Sequence, residues 1–249
     1  MSATIINESA FNEKPAVVFF DFDNTLYPYR SSHEAGMSAV REKANRLLSV
    51  STEDFDKAFH DARKELKERV GRTAASHNRL LYFHRTIELL GLRTQVIMAL
   101  DLEQTYWATY LDKAKLFEGV TSFLDVLRVE GIKTALVTDL TAQIQYKKLI
   151  YLRLEHAFDF VVTSEEAGSD KPHPAPFDLA LTKVGNETGK IWMIGDNFDS
   201  DIKGAREAIG ATTLMRCDNS TIFDKTNPPD LTFQTFEEIR TFTKKLIES

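Results

Sequence analysis

Two carboxylates stand two residues apart in Asp21-Phe22-Asp23-Asn24-Thr25, where the run from Ala16 to Phe22 (AVVFFDF) ends. On an extended backbone, positions i and i+2 point to the same side, so both acids address one place. Asp and Asn also favour turns, which is the plainer reading of the pentapeptide. A second acidic stretch, Gly195-Asp196-Asn197-Phe198-Asp199-Ser200-Asp201, follows the apolar run Ile191–Ile194. Three acids in six residues behind a buried strand suit a divalent cation, and an acidic helix start would suit the helix dipole. Between these stretches lie Thr138, closing the run Thr134–Val137, and Lys171 in Ser169-Asp170-Lys171-Pro172-His173-Pro174. Taken singly, a threonine is a common strand residue and a lysine a solvated surface charge.

All of these segments fall at the C-terminal end of an expected strand or just beyond it, where an open α/β sheet places its ligand site. The elements that must position them are legible in the pattern. Ala16–Phe22 reads as a buried strand. From about His33 to Leu111 the period is helical. Phe55, Ala58, Phe59, Ala62 and Leu66 follow Ser51-Thr52 as N-cap, with Glu53-Asp54 in the first turn. Leu80, Phe83, Ile87 and Leu90 repeat the spacing before Gly91, and Val96, Leu100, Trp107 and Leu111 suggest another helix. Beyond Phe117-Glu118-Gly119 helices and strands alternate: 120–129 helix, 132–138 strand, 141–152 helix and 158–163 strand. A helix with Phe177, Ala180, Leu181 and Val184 on one face comes next, then strand 191–194, helix 199–209, strand 212–215 and helix 236–247. This alternation predicts an α/β fold, a doubly wound, Rossmann-like parallel sheet carrying an inserted all-helical cap domain. The expected division is a loose lead at 1–14, a sheet domain at 15–28 and 115–249, and a helical cap at 29–114.

Composition narrows the function classes. The chain has 249 residues, 43% hydrophobic and 27% charged, which is ordinary for a folded globular protein. Its 37 acidic residues against 31 basic ones give a net charge of −6, which speaks against a general nucleic-acid coat. One cysteine, Cys217, excludes an intramolecular disulfide scaffold. Met1 to Pro15 lacks the basic-then-apolar pattern of a signal peptide and no apolar run reaches 18 residues, so a cytoplasmic protein without a membrane partner is expected.

In this order the four motifs resemble the haloacid dehalogenase-like (HAD) superfamily, in its C1-type branch with a helical cap between the first two motifs. The resemblance spans about residues 16–220, and Asp21-Phe22-Asp23-Asn24-Thr25-Leu26-Tyr27-Pro28 looks most like the pyrimidine 5′-nucleotidase-like and related sugar-phosphatase members. It implies a phosphomonoester hydrolase acting on a small phosphorylated metabolite, a nucleoside monophosphate or a sugar phosphate, with Mg²⁺. By that resemblance Asp21 is the nucleophile that forms an aspartyl-phosphate. Asp23 is the general acid and base. Asp21, Asp196 and the Asp23 carbonyl hold Mg²⁺, with Asp201 behind them. Lys171 supplies fixed positive charge beside Asp21, and the Thr138 hydroxyl and the N–H of residue 139 hold the phosphoryl oxygens.

One residue departs from the pattern. Asp139 stands where the family usually has Asn or another small neutral residue. A third carboxylate near phosphate must face away, bind a substrate hydroxyl or cation, or be protonated. The expectation is that it accepts hydrogen bonds from a sugar hydroxyl.

The helical cap is expected to act as a lid hinged at Tyr27-Pro28 and Phe117-Glu118-Gly119. From His60 to Arg79 it holds six basic residues (Arg63, Lys64, Lys67, Arg69, Arg72, Arg79) against three acids. A solvated face laced with pairs such as Lys64–Glu68 accounts for that excess. The functional alternative is that Arg72, His77 or Arg79 contact the substrate, with His33, His84 and Arg85 as weaker candidates. Rival activities on the same residues are a phosphomutase, a 2-haloacid dehalogenase-type hydrolase and a non-catalytic phosphometabolite sensor. Dehalogenase relatives lack the second acid of the first motif, so Asp23 argues for phosphate.

Overall fold

The computed structural model describes residues 3–185, 188–218 and 221–248. Its centre is β2 (Pro15–Phe20), whose Val17, Val18, Phe19 and Phe20 are fully shielded. A strand covered on both faces has no polar side to show, which is why this run is apolar without alternation. The seven strands lie in the order β1 (Thr4–Ile5), β7 (Leu231–Phe233), β6 (Thr212–Arg216), β5 (Lys190–Gly195), β2, β3 (Lys133–Thr138) and β4 (Phe160–Thr163). Every neighbouring pair is parallel except β1–β7.

Successive residues of β2 face opposite layers. Val18 and Phe20 pack with Phe123 and Leu127 of α5 (Val120–Val129), Ile144 of α6 (Ala142–Tyr151), and Phe236 and Ile239 of α10 (Phe236–Glu248). Val17 and Phe19 pack with Phe177 and Ala180 of α8 (Pro174–Val184) and Ala205 of α9 (Gly204–Ile209). Between β4 and α8 lies the short α7 (Ser164–Ala167). From β2 the chain order runs outward both ways, through β3 and β4 on one side and β5 and β6 on the other. The C-terminal end of β2 is therefore a topological switch point, with a crevice opening beyond it.

Between β2 and α5 the chain builds α1 (Tyr29–Leu48), α2 (Thr52–Val70), a 3₁₀ turn (Ala74–His77), α3 (Arg79–Leu89) and α4 (Val96–Lys113). Ser51 Oγ accepts the Asp54 N–H at 3.1 Å and Asn78 Oδ1 accepts the Leu81 N–H at 3.2 Å, satisfying donors that open α2 and α3. The ends of this insert lie side by side, the Phe117 N–H donating to the Leu26 carbonyl at 2.9 Å.

Three expectations need correction. Of the supposed loose lead, Met1 and Ser2 lie outside the described residues, and the rest is tied down. β1 pairs with β7, and Phe11 is buried edge-on against Trp192 and Phe242, covering the end of the apolar layer. In α4 the expected face fails in part: Val96 and Leu100 are 60% and 40% exposed, while Ala99, Leu102, Tyr106 and Tyr110 are buried with Trp107 and Leu111. Burial there follows the rings of Tyr106 and Tyr110, which pack against His33 and Tyr29 of α1. The helix expected at 199–209 begins as a wide π turn (Phe198–Lys203) before α9 continues it. Among the described residues no helix is long and apolar enough to cross a membrane.

Candidate active site

Asp21 follows β2 directly, Thr138 ends β3 and Asp196 follows β5, so three adjacent strands deliver them to one edge. Lys171, from the loop before α8, reaches the same edge from the side of β4. Its Nζ donates to Asp21 Oδ1 and to Asp201 Oδ1, each at 2.7 Å. The Thr25 hydroxyl donates to Asp21 Oδ2 at 2.8 Å, and the Asn197 N–H to Asp201 Oδ2 at 3.0 Å. Gly195 makes room for this, because a Cβ there would overlap the Asp201 side chain.

Asp21, Asp196 and Asp201 each bring a carboxylate oxygen within 4.8 Å of the others. Burial, with Asp201 and Asp23 nearby, pushes Asp21 up to about 6 against the pull of Lys171. Burial and the charges of Asp21 and Asp201 push Asp196 up to about 8. Burial works to lower the Lys171 ammonium, but the surrounding carboxylates hold it well above its ordinary value. One ammonium among three carboxylates leaves negative charge uncompensated. These three carboxylates could hold a divalent cation.

Asp23 is held differently. Lys148 Nζ, from α6, donates to both its oxygens at 2.7 and 2.8 Å, and the Tyr27 hydroxyl donates to Oδ1. Tyr27 in turn shares a 2.7 Å hydrogen bond with the Tyr110 hydroxyl. Burial alone would raise the Asp23 carboxyl, but Lys148 and Tyr27 outweigh it and hold it below the ordinary carboxylate value. The Lys148 side chain is 1% exposed and faces the rings of Phe22, Tyr27, Trp107 and Tyr110. Sequence reasoning missed it. The signal was a lysine in register with Ile144 and Gln145 on the buried face of α6.

Gln145, on that face, donates from Nε2 to Thr138 Oγ1 and to the Asp139 carbonyl, both at 2.6 Å, fixing the end of β3. The Asp139 carboxylate does not face away: its Oδ1 accepts the Lys171 N–H at 2.9 Å and it borders the cleft. Burial pushes it up to about 6.

The cleft encloses about 270 Å³, with Asp21, Asp23, Thr138, Asp139, Lys171, Asp196 and Asp201 on the sheet side. Tyr29, Arg63, Lys67, His77, Arg79, Tyr82 and Trp107 of the insert line it opposite them. His77 Nε2 lies 3.0 Å from Asp170 Oδ2. Arg72 is not among the lining residues: it is exposed, and its carbonyl accepts the Asp170 N–H. His33 is stacked on Tyr29 and hydrogen-bonded to Tyr106, while His84 and Arg85 pair with Glu88 and Glu65 away from the cleft. Two residues of the basic segment read as a solvated face, Arg63 and Lys67, do reach the cleft.

The profile of the haloacid dehalogenase-like hydrolases matches residues 15–208. The chain belongs to this family. It is 39% identical over 199 residues to a ribulose-1,5-bisphosphate 5-phosphatase of Halopiger xanaduensis, covering 80% of this chain and 83% of that one. A glyceraldehyde 3-phosphate phosphatase of Methanopyrus kandleri is 32% identical over 200 residues, with the same shares covered. Among solved structures, the magnesium-bound HAD-hydrolase YfnB of Bacillus subtilis superposes with a TM-score of 0.71 at 20% identity, over 93% of this chain and all of that one. A 2-haloacid dehalogenase of Pseudomonas syringae superposes with 0.70 at 20% identity, over 94% of this chain and 99% of that one. A magnesium-bound HAD-hydrolase and a dehalogenase can thus share this backbone, so the chemistry has to be argued from the cleft.

Proposed function

We propose that this HAD-like phosphatase is a Mg²⁺-dependent sugar-phosphate monoesterase working through an aspartyl-phosphate on Asp21. The observation that carries the reading is the pairing of two differently held acids in one cleft. Asp21 is clamped by Lys171 and Thr25, and Asp23 by Lys148 and Tyr27. Asp21 attacks phosphorus in line, the P–O bond to the sugar breaks, and Asp23 gives its proton to the leaving oxygen. Asp23 then takes a proton from the water that attacks the acyl phosphate, releasing inorganic phosphate and restoring Asp21.

Lys148 keeps Asp23 ionised in the free protein, the form needed as a base. A phosphate dianion entering the cleft opposes Lys148 and favours the protonated form needed as an acid. Thr138, fixed by Gln145, and the N–H of Asp139 would hold phosphoryl oxygens. Asp21, Asp196 and the Asp23 carbonyl fit as ligands of Mg²⁺, with Asp201 behind them, since the Asp201 side chain is 2% exposed against 11% for Asp21. The cation would supply the charge that lets a carboxylate approach a phosphate.

Dehalogenation needs neither the second acid nor a cation, so Asp23 and the Asp21–Asp196–Asp201 cluster favour phosphate. The relatives act on ribulose 1,5-bisphosphate and glyceraldehyde 3-phosphate, which favours a sugar phosphate over a nucleotide, and such a metabolite suits a cytoplasmic location. Residues 29–114 act as the lid, and 15–28 with 115–249 as the catalytic domain. The test is phosphate release from a panel of sugar phosphates and nucleotides. Asp21→Asn and EDTA should each remove at least 99% of the activity, consistent with a nucleophile and a cation that the mechanism needs. Activity surviving Asp21→Asn, or halide release from a 2-haloacid, refutes the assignment.

A further inference from the structure

Buried cations in proteins are paired with anions or kept for a ligand. Lys171 and Lys148 are paired, the first with Asp21 and Asp201 and the second with Asp23. Arg79 is not. It is 8% exposed, and its hydrogen-bond partners are neutral: the His77 carbonyl at 2.7 Å from Nη1, the Tyr29 hydroxyl at 2.6 Å from Nη2, and the Tyr106 hydroxyl. Its Nε is buried with no partner, and its guanidinium faces the rings of Tyr82, Tyr106 and Trp107 at 5.3–5.8 Å from their centroids.

Arg63 and Lys67, one turn apart on α2, line the same end of the cleft, and Arg63 hydrogen-bonds the Tyr82 hydroxyl. Burial, then Arg63 and Arg79, push the Lys67 ammonium below its ordinary value. The acid acting on Lys67, Asp170, is engaged with His77. Three cations thus converge, Arg79 among aromatic rings and Arg63 and Lys67 exposed beside it, with no carboxylate ion-paired to any of them among the described residues. An anion brought by a ligand is what this arrangement lacks.

We propose that Arg63, Lys67 and Arg79 form a second anion subsite, holding a phosphate or carboxylate at the end of the substrate remote from the bond that breaks. The inference rests on the phosphatase reading and specifies its substrate class, a phosphorylated metabolite with two anionic ends. Arg79 meets the remote anion with its planar fork, while the rings around it exclude water and strengthen the contact. Arg63 and Lys67, more exposed, add charge at the rim.

The test compares matched substrates: a pentulose 5-phosphate with its 1,5-bisphosphate, and glyceraldehyde 3-phosphate with 3-phosphoglycerate, so a remote phosphate and a remote carboxylate are scored separately. In the wild-type protein with Mg²⁺, at least one doubly anionic member should exceed its partner in kcat/KM by about tenfold or more. The Arg63→Ala/Lys67→Ala double variant should lower that ratio about threefold or more, and Arg79→Met should bring it down to about one. The exposed pair on α2 carries the test alone should Arg79→Met fail to fold. Calorimetric binding of the same pairs to Asp21→Asn gives a readout independent of turnover. Selective binding of a doubly anionic member without hydrolysis by the wild type sustains the subsite and refutes the phosphatase reading. Hydrolysis of both members of each pair with equal kcat/KM and equal affinity overturns the subsite and leaves that reading standing. A wild-type preference that survives both variants also overturns it.

Discussion

Lys148→Met removes the ammonium that pairs with Asp23 while keeping an unbranched apolar stem among the four rings around it. At an effective dielectric of about 20, unit charges about 4 Å apart attract by about 4 kcal/mol. Truncating one partner of a fully enclosed pair costs about 3–5 kcal/mol, because the other charge is left buried. The Asp23 side chain is 29% exposed to the cleft, so water there takes over part of the lost contact. The expected loss is therefore about 2–3 kcal/mol at pH 7.

The sign with pH is fixed. The wild-type Asp23 carboxyl sits below its ordinary value, so its pairing stabilises the fold above about pH 4 and is lost as the pH falls through the depressed value. In the variant burial is no longer opposed by Lys148, the carboxyl rises, and acidification relieves the penalty. Urea unfolding followed by tryptophan fluorescence should show a gap between the two proteins that is widest at pH 7 and narrows as the pH falls toward 4. The acidic limb of the kcat profile should move up by about one pH unit or more, and kcat at pH 7 should fall about 10–100-fold. A loss below about 0.5 kcal/mol, with an unmoved limb, refutes the role assigned to Lys148.

The cation and Asp139 give two further expectations. Mg²⁺ at 100 times its Kd should stabilise the protein by about 2.7 kcal/mol. At a fixed Mg²⁺ concentration the gain should be larger at pH 8 than at pH 6, since Asp196, raised to about 8, costs stability increasingly between about pH 4 and pH 8 and a cation must displace its proton; a Tm indifferent to Mg²⁺ and EDTA counts against the site. Asp139→Asn keeps an acceptor for the Lys171 N–H and removes a carboxyl pushed up to about 6. It should therefore stabilise the fold by about 1–2 kcal/mol at pH 7.5 and by nothing near pH 4, and an unchanged substrate profile would remove Asp139 from substrate contact.

The sheet side of the cleft was legible in the sequence because its acids and Lys171 lie at or just past strand ends, and strands announce themselves as short apolar runs. The insert side was not. Arg63 and Lys67 share α2 with Lys64, Glu68 and Arg69, and a one-dimensional pattern does not say which cations turn inward. Lys148 went unremarked because it stands beside Lys147, and only the docking of α6 shows which of the two lysines faces the core. β1 escaped notice because two residues are too few for any period, and its place comes from pairing with a strand more than 200 positions away. The misread face of α4 is a conflict between aliphatic and aromatic candidates. The tyrosines took the interior because Tyr29 and His33 offered them rings and polar partners.

The hydrogen bond between Leu26 and Phe117 gives the insert a property of its own. The roughly ninety residues between those positions leave and rejoin the sheet domain at one point, so none of the parallel strand pairings depends on what lies between them. On the proposed reading, reaction chemistry and leaving-group recognition are carried by separate stretches of the chain, joined where the Tyr110 hydroxyl meets that of Tyr27. Helices that spare Tyr110 and Trp107, the insert residues that meet Tyr27 and Lys148, can be lengthened or recharged in the middle of the gene while the carboxylates beneath keep their positions. Selectivity here can change without relearning catalysis.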